Sequence, residues 1–277
     1  MQQMCRQHLD WDDPAPLDLE TQWNDWLDEM PQLSTLHINR CFKPGNLNQD
    51  FTCELHYFSD ASETAYGAVC YLKVVDSDQN QKVSFVIGKS RLAPMKLVTI
   101  PRLELCGAVL AARLHEVVKR EVTYNITDVY FWCDSMTVLC YIRNTKSRFK
   151  TFVANRIAMI HELTQVHQWH FIDGKINPAD MASRGFMPSD VDQLNDWLAG
   201  PRFLQGSTYP VDDTTTSDTA SAAEETGHDL IATSVHVIDL LASRCGSLSK
   251  LQNAFACVLK FIRLLQLPQN PKTPKPL

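Results

Sequence analysis

Apolar residues crowd into one unbroken stretch, V-Y-F-W-C from Val129 to Cys133, which stops abruptly at Asp134 and Ser135. A short run without alternation, bounded by polar segments, predicts a central strand covered on both faces. Asp134 then sits at its C-terminal lip. Three earlier runs, 51–60, 65–75 and 82–89, read as strands separated by the turn-like Ala61 to Thr64 and the polar D-S-D-Q-N-Q. Their short connections predict an antiparallel meander. Residues 99–122 switch to helical periodicity, with Leu103, Leu110, Leu114 and Val117 down one face and Ala108, Ala111 and Ala112 permitting close approach to a sheet. Thr99 is the expected cap, and Pro101 falls in the first turn, where a missing N–H does no harm. After the central strand come a short helix, Met136 to Arg143, and a longer one with Phe149, Val153, Ile157 and Ile160 inward. A last strand follows at Val166 to Ile172, and then a short helix at Pro178 to Ser183. The order predicts an α/β layer arrangement with helices covering a mixed sheet.

Laid on that frame, four carboxylates fall at strand ends or helix beginnings. Asp60 ends the first strand in H-Y-F-S-D, Glu104 opens the long helix, Asp134 ends the central strand, and Asp180 lies in N-P-A-D-M-A-S-R-G. Carboxylates gathered together repel one another, so a cluster requires cations, and hard oxygen ligands select magnesium or manganese. At least one of the four is expected to have a raised pKa without metal. Taken singly, Glu104 has a plainer reading as the complement of its helix dipole.

Residues 1–50 are acidic, with 3 Lys/Arg against 9 Asp/Glu; 51–186 hold 16 against 13 and 187–277 hold 7 against 10. The middle segment is therefore net basic within a chain of net charge -6. Its densest basic stretch carries Arg143, Lys146, Arg148, Lys150 and Arg156. Such a run is ordinarily a solvated helix face, but beside an acidic metal site it becomes a phosphate track. In the acidic segment, Trp23, Trp26, Leu27 and Met30 form a helical stripe with Asp18 as the expected cap, and two tryptophans call for docking on a neighbouring domain. The nine cysteines lack C-x-x-C pairs, which favours reduced intracellular thiols over disulfides or a zinc knot. No apolar run approaches a membrane span. The organisation expected is an acidic helical segment at 1–50, a main domain at 51–186, a short tail at 187–205, a linker at 206–229 and a helical segment at 230–277.

The segments Y-F-S-D-A-S, T-I-P-R-L-E-L, W-C-D-S and N-P-A-D-M-A-S-R-G, in this order, resemble the ribonuclease H domain of Pao/BEL-type long-terminal-repeat retrotransposon polyproteins. Residues 11–42 are similar to the stretch joining reverse transcriptase to ribonuclease H, and 247–265 to the helix before the integrase zinc domain. The resemblance implies a ribonuclease H-like fold, with a mixed five-stranded sheet of three antiparallel and then parallel strands and helices on both faces. It also implies an acidic tetrad of Asp60, Glu104, Asp134 and Asp180 holding two magnesium ions, for which manganese can substitute. Asp60 would bridge both, Asp180 would complete one shell, and Glu104 with Asp134 the other. The implied substrate is the RNA strand of an RNA–DNA hybrid, with Ser62, Ser135, Arg143, Lys146, Arg148 and Lys150 as expected strand contacts. Reverse transcriptase and integrase portions of the same polyprotein would be its partners, in the cytoplasm, a virus-like particle or the nucleus, with no membrane involved.

One departure stands out. Many ribonucleases H place a histidine in the loop before the last aspartate, whereas 173–179 contains none, and His167 and His170 lie on the preceding strand. The chain also lacks Y-x-D-D, D-[ST]-G and H-H-C-C patterns, which removes polymerase, aspartic protease and integrase zinc-site functions. Two alternatives remain open: a catalytically inactive retroelement-derived module that binds nucleic acid or assembles through its flanking helices, and a DNA-strand transferase. Against the latter, a glutamate on the first long helix between two strand-end aspartates is the hybrid-nuclease order.

Overall fold

The computed structural model describes residues 2–210 except 11, 39–40, 43–50, 97, 145–147 and 207. The chain divides into two compact units, Met1–Ala220 and Ser221–Leu277. The second, together with residues 211–229 of the linker expected at 206–229 and the helix expected within 230–277, lies outside the described residues.

Strands β1 (Phe51–Ala61), β2 (Ala65–Asp76), β3 (Gln81–Leu92), β4 (Ile126–Cys133) and β5 (Trp169–Phe171) form one sheet in the order β3-β2-β1-β4-β5. β1 and β2 pair antiparallel, as do β2 and β3, whereas β4 runs parallel to β1 and β5 parallel to β4. Local chemistry shapes the two hairpins. Ser62 closes the first, its N–H bonding to the Ala65 carbonyl at 2.8 Å. In the second, the Asp76 carboxylate accepts from the backbone N–H groups of Asp78 and Asn80 at 3.0 and 2.8 Å, an Asx-type turn that adds to the backbone bond from the Asp76 N–H to the Asn80 carbonyl.

Among the described residues the helices are α1 (Gln2–Arg6), α2 (Leu17–Glu29), α3 (Ile100–Glu121), α4 (Met136–Arg143), α5 (Thr151–Leu163), α6 (Ala179–Arg184) and α7 (Val191–Ala199). α3 starts where sequence placed it, after Thr99 and with Pro101 in its first turn, although Thr99 makes no side-chain cap bond. Leu103, Leu110 and Leu114 face inward, but Val118 takes the place expected of Val117, which is 39% exposed. A period of 3.6 residues accounts for that drift by one position over four turns.

Helices α3, α4 and α5 cover one face of the sheet, over Leu55, Tyr57, Cys70, Leu72 and Phe131. The other face presents Phe58, Val69, Tyr71 and Trp132, which meet Ala179 at the start of α6 and then Trp197, Phe203, Leu204 and Tyr209. The described residues from 187 to 209 therefore pack as the second layer of the sheet, so the expected tail at 187–205 and the first residues of the linker expected at 206–229 belong to the domain. A polar network ties this layer down. Lys73 Nζ donates to the Gly206 carbonyl at 2.8 Å and to the Tyr209 hydroxyl at 2.9 Å, and that hydroxyl donates to Glu54. Trp132 Nε1 donates to His56 Nδ1 at 3.2 Å, which leaves the His56 Nε2 proton for Glu54 at 3.3 Å. Burial holds His56 below its ordinary pKa, against the pull of Glu54.

Three expectations shift. β4 begins at Ile126, and only its last three residues are buried, so the stretch covered on both faces is short. β5 has three residues because 166–168 curl into a 3₁₀ turn closed by reciprocal Gln165 and Gln168 bonds. α2 is capped by Pro16 rather than Asp18, and none of its residues is buried: Trp23, 44% exposed, stacks on Trp26 with centroids 5.4 Å apart. The seven described cysteines are free thiols. Among the described residues no helix is long and apolar enough to cross a membrane.

Candidate active site

Parallel pairing of β1 with β4 in the register Ser59 to Cys133 makes Asp60 and Asp134 the next residues along adjacent strands, at the same lip of the sheet. α3 reaches this lip because residue 107 is glycine: a Cβ there would stand 2.9 Å from the Asp60 carbonyl oxygen. Glu104, one turn earlier on α3, is thereby brought to the site. Its Oε2 accepts from Ser135 Oγ at 2.5 Å, and the same hydroxyl caps α4 by accepting from the Val138 N–H at 3.3 Å. One side chain thus locks the carboxylate to the end of β4.

α6 approaches from the other side. Asn177, 4% exposed, accepts from the Ala179 N–H at 3.1 Å, donates to the Ser59 carbonyl at 3.0 Å, and also hydrogen-bonds Asp134. A Cβ on Gly67 would lie 2.7 Å from Ala182 Cβ, so α6 rests almost directly on the β2 backbone. Hydroxyls close this contact. Ser62 donates to the Ser183 carbonyl at 2.9 Å, Ser90 to the Ala182 carbonyl, and Ser183 Oγ to Asp60 Oδ2 at 2.5 Å. The helix ends at Gly185, whose φ of 81° suits only a residue without a Cβ.

Electrostatically the carboxylates divide into three and one. Burial first, then the charge of Asp60 and, more weakly, that of Glu104, pushes Asp134 up to about 6 against the pull of Asn177. Glu104 is also raised, by burial and then by Asp60, with the Ser135 bond opposing. Asp180 stands on α6 with its Oδ1 accepting from Arg184 Nε at 2.5 Å, and Arg184 also feels the charge of Asp60. Among the described residues no three His, Cys, Asp or Glu side chains converge closely enough to hold an ion as they stand. The site nonetheless fits a hard cation. Asp134 Oδ1 is buried without a hydrogen-bond partner, and two carboxyls are raised by burial and then by neighbouring carboxylate charge, both of which a bound divalent ion would offset.

The expected strand contacts fare differently. Ser62 and Ser135 spend their hydroxyls inside the protein, on α6 and on Glu104. Arg143 Nη2 turns back to the Trp169 carbonyl at 3.3 Å, Arg148 and Lys150 are exposed, and Lys146 lies outside the described residues. His170 packs against Tyr130 and Trp132, on the face away from α3. Sequence reasoning passed over Asn177, Ser183 and Arg184. They lie in the quoted N-P-A-D-M-A-S-R-G segment, but only the docking of α6 reveals what they hold.

Three antiparallel strands continued by two parallel ones, with acids at the lip between the two central strands, define a ribonuclease H-like domain. Residues 1–135 match the family model described as the Pao retrotransposon-like RNaseH-like domain. Among solved structures, the N-terminal RNase H domain of a Mycobacterium tuberculosis protein is 14% identical, over 52% of this chain and 99% of that one, with a TM-score of 0.35. RNase H1 of Halobacterium salinarum is 13% identical, over 52% and 98%, with a TM-score of 0.32. The LC11 RNase H1, solved in complex with an RNA/DNA hybrid, is 12% identical, over 50% and 99%, with a TM-score of 0.34. No curated protein matches the chain.

Proposed function

We propose that this protein is a metal-dependent endonuclease that hydrolyses the RNA strand of RNA–DNA hybrids. The observation that carries the reading is the meeting of Asp60, Glu104 and Asp134 at one lip, with Asp134 raised to about 6 and its Oδ1 left unpartnered in a buried position. Asp60, Glu104, Asp134 and, from α6, Asp180 would hold divalent ions, magnesium by preference with manganese as substitute. Ions so held supply activation of a water nucleophile and stabilisation of the leaving oxygen in an in-line displacement.

The chain's own residues contribute fixed positions. Ser135 orients Glu104 and Ser183 orients Asp60, each through a bond of 2.5 Å, so two of the acids enter the reaction with their rotamers already set. Asn177 couples Asp134 to the start of α6, so Asp180 and Asp134 are referred to a common frame. Asp180 must be shared with Arg184 or released from it, which makes that ion pair the adjustable part of the site. No side chain is needed as a nucleophile. Hybrids of this kind form where a reverse transcriptase works, so the partners expected are polymerase and integrase portions of one polyprotein.

The test is cleavage of an end-labelled RNA–DNA hybrid in magnesium and in chelator, for the wild type beside Asp134→Asn. Magnesium-dependent cutting of the RNA strand alone, lost in the variant, is the expected result. Binding of the hybrid without cutting in either magnesium or manganese would overturn the proposal and leave an inactive binding module in its place.

A further inference from the structure

Within the aromatic layer on the second sheet face, His56 of β1 is both ionisable and sealed, at 0% exposed. Its ring stacks on Tyr130 of β4 with centroids 4.8 Å apart and 7° between planes, and Tyr209 closes over it edge-on at 5.2 Å. Both ring nitrogens are committed. Nδ1 accepts from Trp132 Nε1 and Nε2 donates to Glu54. Only the neutral ring satisfies both bonds, since a proton on Nδ1 would face the indole N–H across 3.2 Å.

Charge around the neutral ring is balanced. Glu54 and Lys73 are register partners on β1 and β2, and Tyr209 bridges them, accepting from Lys73 and donating to Glu54. The remaining titratable groups that face the ring are His170 on β5, whose charge opposes protonation of His56, and the hydroxyls of Tyr130 and Tyr209, kept neutral by burial and then by carboxylates, Asp128 among them. A proton on His56 therefore breaks the Trp132 bond and leaves positive charge in excess beside Lys73, which is 3% exposed. The surrounding elements do not give way equally. β1, β2 and β4 are locked in their ladders, whereas Gly206 and Tyr209 belong to no strand or helix. They are held by Lys73, by Glu54 and by ring contacts of Tyr209 with His56, Tyr130, Trp132 and Phe203. Lifting them lets water reach His56, Glu54 and Lys73 together without breaking a strand pairing.

We infer that the segment at 206–209 is an acid-released strap, closed over the sheet while His56 is neutral and lifted when His56 takes up a proton. The closed strap holds His56 below its ordinary 6.5, so the contribution to closure is fully present above that pH and is lost as pH falls. Each unit below 6.5 favours the open form by up to about tenfold, the slope for one proton taken up. None of the strap's partners belongs to the carboxylate site, so the device stands apart from the nuclease reading.

The experiment is hydrogen–deuterium exchange of the full chain between about pH 5 and 7.5, read by mass spectrometry and corrected for the intrinsic pH dependence of amide exchange. In the wild type, peptides covering 203–210 should lose protection by up to about tenfold per unit below pH 6.5, while peptides from β1 and β2 keep theirs. His56→Gln offers an acceptor to Trp132 and a donor to Glu54 but takes up no proton, so its strap should stay protected throughout. His170→Gln should still open in acid. Strap protection that ignores pH in the wild type, falls equally in a folded His56→Gln variant, or is lost together with that of the strands would overturn the inference. A response abolished by His170→Gln and kept by His56→Gln would do the same. Should His56→Gln fail to fold, imidazole NMR of the wild type decides: the His56 ring is expected to protonate over the pH range in which the strap opens, and a ring that stays neutral while it opens refutes the switch.

Discussion

Replacing Asp134 by asparagine should make the metal-free protein more stable at neutral pH, although it removes a residue assigned to the active site. Burial, then Asp60 and Glu104, lift the Asp134 carboxyl from an ordinary 3.8 to about 6. A folded-state pKa above the unfolded one means that the native protein binds this proton more tightly. The contribution to stability is therefore complete below about pH 4 and is lost as pH rises through about 6. A shift of about two units corresponds to roughly 3 kcal/mol at most. Because the carboxyl is only partly buried, solvent screening brings the expected figure to about 1–2 kcal/mol. Asparagine keeps the shape and cannot ionise, so it escapes that loss. Urea unfolding followed by tryptophan fluorescence in chelator, from pH 4.5 to 7.5, should show Asp134→Asn gaining on the wild type as pH rises. Added magnesium should reverse the order, since it stabilises whichever form binds it better. A variant less stable than wild type at pH 7.5 in chelator, or a gap that ignores pH, would refute the electrostatic account of the site.

Two further outcomes follow from the packing. Gly67→Ala would put a methyl 2.7 Å from Ala182 Cβ and 2.8 Å from its carbonyl carbon, so α6 must retreat by roughly 1 Å; about 1–3 kcal/mol of stability should go, along with metal affinity, because Asp180 and Ser183 retreat too. Calorimetric titration with manganese alongside thermal unfolding checks both, and unchanged affinity would show that α6 does not set the site. Lys73→Met removes two charge-assisted bonds to 206–209 and should cost about 1.5–3 kcal/mol, with protease cutting near Tyr209 accelerated; equal digestion rates would show that the segment is held by its aromatic contacts alone.

Sequence by itself determined the elements and their kind. Alternation and apolar runs marked the strands, a 3.6-residue period marked α3, and the punctuation at Ala61, Pro101 and Asp134 placed three acids at element ends, because those signals are local. Short connections also marked the meander, since two-strand turns of that length join only antiparallel neighbours. What tertiary structure decided is everything that depends on distance across the chain. The tail expected at 187–205, with the start of the linker expected at 206–229, became a layer because Trp197, Phe203 and Tyr209 meet an aromatic sheet face more than 60 residues away in sequence. The hydroxyls of Ser62 and Ser135 looked free to touch a ligand, yet each is claimed by a partner outside its own turn, α6 for one and Glu104 for the other. The arginines were legible as a charged run along 143–156, but only tertiary packing sorted Arg156, stacked on Phe152, from Arg148 and Lys150, which are exposed. Chemistry-bearing residues can be listed from a linear pattern. Which of them share one point in space is decided by close contacts such as those at Gly67 and Gly107, where the absence of a single side-chain carbon lets two elements meet.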